Sequence, residues 1–437
     1  MTLVRHAEVD RKIVDVRFDG RVVRQVSPHP LTPLDDEEVI DGGRCALLPG
    51  LHDHHIHLLA TARAATSIDV SSGVDALAAA PATGGWLRAV GGTDDLDAAA
   101  LDRVVTNRPV RVQHHSGAMW VLNSAGLAAV GSAEAAEDGI ERDASGSPTG
   151  RLWRLDDWLG SRVDDDPPDL GPLGRRLSDH GITGVTDATP HLGAGAELIA
   201  AATLPQRIHF LAADAPAWGV TGPRKIVLED HDLPSYTELR ETIADARVLG
   251  RAVAVHCVTR ESLLLLLAVL DEIGAVTGDR IEHASIADAT TVERIARLGV
   301  AVVTQPGFIC QRGDRYLADV PADDLPDLYR YSSLVEAKAC VVPSSDAPYG
   351  PLDPWTIMRA ARDRRSESGA RVNVKEWVAA AMVLDGYLRH PDALHAPRRR
   401  ITPGAPSDLI LLQLPLAEAL DDPRAELVRR TWHARHR

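Results

Sequence analysis

Eight short runs of apolar and β-branched residues recur along this chain with helix-length stretches between them, and no other feature restricts the fold as strongly. They are GLHDHHIHL (50–58), GITGVTDA (181–188), RIHFLAA (207–213), RKIVLED (224–230), AVAVHCV (252–258), RIEHAS (280–285), VAVVTQP (300–306) and CVVPSSDA (340–347). Short apolar runs of this kind suit strands covered on both faces, and strands that alternate with helices assemble as parallel βα units. Eight units are the number that closes a (β/α)8 TIM-like barrel, so the expected fold class is α/β. The spacing departs from regularity once, between the first run and the second. That interval carries strand-like pieces of its own, RPVRVQHHS (108–116) and WVLNSAGL (120–127), and reads as an insertion at about 66–176 after the first barrel strand. From Lys12 to Val39 short β-branched runs alternate with turn signals such as Asp19-Gly20, and the tail offers SDLILLQL (407–414) and LVRRTWHA (427–434). Residues 1–48 plus 395–437 are therefore expected to form a small β-sandwich built from both termini, beside a barrel domain at 49–394.

Charge and composition narrow the partners. A net charge of -15 leaves no basic stripe that could follow a phosphate backbone, which argues against nucleic acid. The four cysteines, Cys45, Cys257, Cys310 and Cys340, make no CxxC pair and no disulfide framework, as suits a reducing cytoplasm. The first twenty residues lack the apolar run of a signal peptide, and the most apolar stretch, Leu263 to Leu270, is too short to span a bilayer. The expectation is a cytoplasmic protein with a small-molecule substrate, no membrane or nucleic-acid partner, and room for a homo-oligomer.

In barrels of this kind the chemistry sits at the C-terminal ends of the strands. Those ends carry His55 and His57 on the first, Lys225 on the fourth, His256 on the fifth, His283 on the sixth and Asp346 on the eighth. Neutral imidazoles and carboxylates together suit zinc and similar divalent ions. Alternation puts Asp53, His55 and His57 on one face of the first strand and His52, His54 and Ile56 on the other. Two histidines at i, i+2 present both rings to one ion, so the odd-numbered face is the one expected to look into the site. His52 and His54 then pack against helices, Asp53 serves as a structural acceptor, and Cys257 points away from the site that its neighbour His256 faces. Arg312 and Arg315, after the seventh strand, fall where an anionic substrate group would lie, although arginines so placed are more often solvent-facing ion pairs.

With PGLHDHHIH, RKIVLED, AVHCV, RIEHAS, SSDAPYGPLDP and ITPGAPSDLILL in place, the chain resembles the amidohydrolase superfamily over nearly its whole length. Within it the resemblance is to the branch of N-substituted formamide deformylases, amidohydrolase family 3, whose insertion HSGAMWVLNSAGL is similar to. The resemblance implies one or two zinc ions, His55, His57 and Asp346 on one and His256 and His283 on the other. It also implies that carbon dioxide adds to the Lys225 amine to make a bridging carbamate, since an ammonium would repel the cations. Asp346 is implied to be the catalytic proton shuttle as well as a ligand, and His115 and Trp120 to meet the substrate; by residue type alone His114 and His115 suit substrate contact and a polar hairpin or helix cap equally.

The function so implied is hydrolysis of a nonpeptide C–N bond in an amide, formamide, carbamate or cyclic amide by a metal-activated hydroxide. A deaminase of a ring amidine would use the same barrel. Such relatives tend to carry a glutamate three residues after the fifth-strand histidine, where this chain has Thr259. A catalytically silent barrel would be expected to have lost ligands, and all six are present. No GxSxG elbow follows an expected strand, which disfavours a serine hydrolase.

Overall fold

The computed structural model of the protein describes residues 1–80, 85–163, 166–216 and 218–434. The chain is mixed α/β and divides into two compact units, Met1–Leu58 with Leu170–Arg437, and Leu59–Asp169. Among the described residues no helix is long and apolar enough to cross a membrane.

In the first unit each of the eight runs holds a strand: β1 (Leu51–Ile56), β2 (Ile182–Asp187), β3 (Arg207–Phe210), β4 (Arg224–Val227), β5 (Val253–Cys257), β6 (Arg280–His283), β7 (Ala301–Thr304) and β8 (Val341–Pro343). β1, β2 and β3 pair in parallel, with the two-residue strand Val220–Thr221 beyond β3. β4 to β8 pair in parallel in chain order. Backbone hydrogen bonds join the two sheets at both margins. On one side the Lys225 N–H reaches the Leu211 carbonyl at 2.7 Å; on the other the Asp346 N–H reaches the His55 carbonyl at 2.8 Å and the His57 N–H the Ala347 carbonyl at 2.9 Å. The second margin sets the end of β1 beside the segment that follows β8.

The faces of the strands sort by alternation. Val253, Val255, Cys257 and Ile281 join an apolar cluster with Leu263, Leu266, Leu267 and Leu270 of the helix Arg260–Ile273, and so turn Ala254, His256, Arg280 and Glu282 the opposite way. That helix starts at Thr259, whose hydroxyl caps the Ser262 N–H, and the preceding helix Tyr236–Val248 starts with a Ser235/Glu238 capping box. The longest apolar stretch of the chain is thus a buried helix face. On β1 the even-numbered histidines lie on the outer face, as expected. His52 bonds the Thr186 hydroxyl at 2.8 Å and His54 the Gly386 carbonyl at 3.1 Å. Position 184 must be glycine for this packing, because a Cβ there would sit 2.5 Å from His52 Nδ1.

Two small sheets come from the terminal segments, the first from the N-terminal one alone and the second from both. One runs in the order Val23–Ser27, Lys12–Phe18, Thr2–Val9, Glu38–Asp41; the other is Val428–Trp432, Leu409–Leu412, Leu47–Pro49. Val4, Val14, Val16 and Phe18 from the first pack with Leu47, Leu409 and Leu411 from the second. The second unit has its own six-stranded sheet, in which Leu87–Gly92, Val110–His114 and Met119–Leu122 are central, and two apolar clusters of its own.

Candidate metal centre

His55 lies one pleat before the end of β1 and His57 just beyond it, while Asp346 follows β8 across the hydrogen-bonded margin. His55 Nε2 and His57 Nε2 stand 3.4 and 3.3 Å from the same oxygen, Asp346 Oδ1. One nitrogen or oxygen from each of the three residues lies within 4.8 Å of the others, the one such group of possible metal ligands among the described residues. His283 Nδ1 is 3.8 Å from the other Asp346 oxygen. The His283 ring is 5.1 Å from that of His55 and 4.4 Å from that of His256, which brings the fifth- and sixth-strand histidines alongside the group. Lys225 is buried within the electrostatic reach of His55, His256, His283, Glu282 and Asp346. Burial lowers the pKa of its amine.

Two backbone features hold the group in place. Asp346 has φ 51° and His283 φ 73°, left-handed conformations that cost a non-glycine residue about 1–2 kcal/mol. By alternation His283 would follow Ile281 onto the outer face. The positive φ at His283, repeated at Ala284 (φ 49°), turns its ring inward instead.

The sequence reading missed the residues that orient the ligands. The buried carboxylate of Glu282 accepts a hydrogen bond from His55 Nδ1 and is itself held by Arg280. Burial alone would raise the Glu282 pKa, but Arg280 and His55 hold it well below the ordinary glutamate range. His283 Nδ1 bonds Gln305 Oε1 at 2.8 Å; the Gln305 amide nitrogen donates to the Ser344 hydroxyl at 2.9 Å and to the Val303 carbonyl at 3.4 Å, and because a carbonyl only accepts, the Gln305 oxygen is the end turned to His283. Asp53 takes the expected structural part, accepting the Ser345 N–H at 3.0 Å and its hydroxyl, and burial raises its pKa to about 6. A signal for Glu282 existed: it faces His256 in the β5/β6 register and shares its face with Arg280.

These bonds decide what the centre can hold. With Nδ1–H donated to Glu282, His55 Nε2 carries a lone pair. It is buried, has no hydrogen-bond partner, and faces a carboxylate oxygen. Two acceptors meeting at 3.4 Å out of water repel unless a cation or a proton lies between them. Burial, followed by the Lys225 charge, lowers the His55 pKa to about 3, which disfavours the proton. The donor set therefore fits a divalent metal ion.

The expected substrate contacts lie in the second unit. There His115 Nδ1 bonds the Gly92 carbonyl at 3.0 Å beside the His114 ring, and the buried Trp120 donates to Asp156 at 2.8 Å with Arg88 and Arg111 over its ring.

The candidate donor set thus lies at the strand ends of a parallel α/β fold, and comparisons with known proteins give the family. The chain belongs to the amidohydrolase family, whose sequence model matches residues 38–434. It is 25% identical over 437 residues to the N-substituted formamide deformylase of Arthrobacter pascens, covering 82% of this chain and 80% of that one. It is 24% identical over 424 residues to YtcJ of Bacillus subtilis, covering 79% and 78%. Its fold is similar to that of an uncharacterized metal-dependent hydrolase from Pyrococcus horikoshii, with a TM-score of 0.73, 18% identity, and coverage of 100% of this chain and 99% of that one.

Proposed function

We propose that this protein is a metal-dependent hydrolase of a nonpeptide carbon–nitrogen bond, in an amide, formamide, carbamate or cyclic amide. The observation that carries the reading is the buried His55 Nε2 lone pair opposed to Asp346 Oδ1 with His57 on the same oxygen. Membership of the amidohydrolase family supports the reaction class, and the formamide deformylase among its relatives supports the bond type. In this reading the two parallel sheets close as one eight-stranded barrel flanked by a terminal β-sandwich. His55, His57 and Asp346 would hold one zinc ion, and His256 and His283 a second, with a carboxylated Lys225 serving both. Metal bound there supplies Lewis acidity and lowers the pKa of a water toward neutrality. Glu282 keeps the His55 nitrogen that faces the centre deprotonated, and Gln305 holds the His283 ring. Asp346 takes the proton of the attacking water and returns it to the leaving nitrogen.

The test is metal analysis of the purified protein, combined with a hydrolysis screen of N-formyl amines, N-acyl amines, cyclic amides and carbamates beside a panel of ring amidines. The expected results are one to two divalent ions per chain and release of an amine from at least one acyl class. His57→Ala should lose metal, while His52→Ala, on the outer face, should keep it. A folded, metal-free protein that gains no activity with zinc or manganese rejects the reading, and turnover of ring amidines alone replaces it with deamination.

A further inference from the structure

We infer that Arg312, on the wall beside His57 and Asp346, receives a carboxylate carried by the substrate next to its scissile bond; this rests on the hydrolase reading above. Arg312 lies on the helix Phe308–Asp319, which follows β7 and therefore starts at the strand ends that carry the candidate centre. Its guanidinium stacks on the Phe308 ring at 4.2 Å and donates to the Tyr349 carbonyl at 2.6 Å. Tyr349 is in turn tied to the centre: its N–H bonds the Asp346 carbonyl at 2.8 Å, and its ring stands edge-on to that of His57 at 5.7 Å. Tyr316, one turn along the helix, lies against Arg312 and close enough to Asp346 to feel its charge. Its hydroxyl meets that of Tyr329 at 3.2 Å.

The contacts of Arg312 are thus a carbonyl, an aromatic face and a phenol, and among the described residues no carboxylate pairs with it. Its neighbour Arg315, the other arginine of this stretch, is paired with Asp319 at 3.9 Å. In a chain with 62 acidic residues against 47 basic ones, a part-buried guanidinium without an anion beside the centre is poised to take one. The planar fork of arginine fits a two-oxygen anion bidentately. Carboxylate fits better than phosphate for two reasons. The neighbours Phe308, Tyr316 and Tyr349 belong to one apolar cluster, and a net charge of -15 opposes a dianion more than a monoanion. The substrate class that results is an N-acylated amine bearing a carboxylate, such as an N-acyl amino acid.

The experiment compares matched pairs on the metal-loaded enzyme: N-formylphenylalanine against N-formylphenethylamine, and N-acetyl- and N-carbamoylphenylalanine against the corresponding phenethylamines. The expected result is a preference of about tenfold or more in kcat/KM for the carboxylate member of the pair that is turned over, since truncating a hydrogen-bonded partner of a charged group costs at least that. Most of the preference should lie in KM. Arg312→Met should erase the ratio between the two members and Arg312→Lys should keep part of it. Calorimetric titration with 3-phenylpropanoate against 3-phenylpropanol should show the same loss in Arg312→Met. Turnover of the neutral member as fast as the anionic one in wild-type protein overturns the inference whatever the variants do, and so does a ratio unchanged in a folded Arg312→Met protein. Hydrolysis of no pair at all counts instead against the underlying hydrolase reading.

Discussion

His55 and Glu282 are hydrogen bonded to each other deep in the first unit, ring Nδ1 to carboxylate, with neither side chain exposed to solvent. The bond fixes which nitrogen of His55 is left as a lone pair, and so makes a glutamate that touches no substrate a determinant of the centre. Glu282→Gln keeps the shape but removes the charge that orders the ring. Metal affinity should fall about 10–100-fold, the usual cost of losing such a partner. Competition against a chromogenic chelator measures it, with circular dichroism on the same sample because Arg280 also loses its carboxylate. Unchanged affinity in a folded protein would mean that the tautomer is set by something else.

Much of this centre was legible because chemistry and topology coincide. His55, His57, His256 and Asp346 are the reactive residues at strand ends, and a parallel sheet brings strand ends together. Glu282 and Gln305 were not legible in the same way, because each precedes or sits apart from a recognisable strand-end ligand and works through a histidine. His283 was found by residue type, yet alternation alone would have turned it outward; only the left-handed backbone at 283 and 284 corrects this. The strand Thr2–Val9 escaped the reading for a related reason. Its pairing with Lys12–Phe18 slips between Val4 and Ala7, where His6 has φ 53°, and such a bulge breaks the period that marks a strand. The outer face of β1 was read correctly because its alternation is unbroken.

The Lys225 amine is buried and its pKa lowered, which keeps more of it in the neutral form that can add carbon dioxide. If the carbamate forms, a crystal of the metal-loaded protein should show a planar three-atom extension beyond the amine. Lys225→Ala should lose activity and regain part of it with added short carboxylic acids, which can take the place of the missing carboxylate. Plain lysine density in a fully metallated crystal would reduce the centre to a single ion held by His55, His57 and Asp346.

Away from the centre, Glu37 and Arg17 join in the small terminal sheet by two hydrogen bonds, at 2.7 and 3.0 Å, with the Glu37 side chain fully buried. The Arg17 bond holds the Glu37 pKa below the ordinary glutamate value, against burial, which acts to raise it. A carboxylate depressed in the folded state stabilises fully above its unfolded pKa, and that contribution is lost as the pH falls through the folded value. Glu37→Gln should therefore cost about 1 kcal/mol at neutral pH, the scale for a well-formed ion pair near the surface, and progressively less in acid. Thermal melts from pH 7 down to pH 3 should show the wild-type and mutant curves converging at the acidic end. A constant gap would assign the loss to shape and not to charge.

Asp346 combines a position beside two histidines with a second oxygen turned toward His283, and the role proposed for it in turnover uses both oxygens. Oδ1 lies at 3.4 and 3.3 Å from His55 and His57, whereas Oδ2 is 3.8 Å from His283, whose Nδ1 is already engaged by Gln305. In the proposed reaction one oxygen would bind metal and the other would carry a proton between the attacking water and the leaving nitrogen. Asp346→Asn keeps size and shape but replaces one oxygen by an amide that cannot accept a proton. Losing a general acid–base group costs about a hundredfold to ten-thousandfold in rate, so kcat should fall by that much while KM changes little. Because the neutral amide also binds a cation less well than a carboxylate does, metal content has to be measured on the same sample and restored with excess zinc before the rates are compared. If the restored Asp346→Asn protein turns over at near wild-type rate, the proton passes through another group. His115, expected from the sequence to meet the substrate, is then the residue to substitute next.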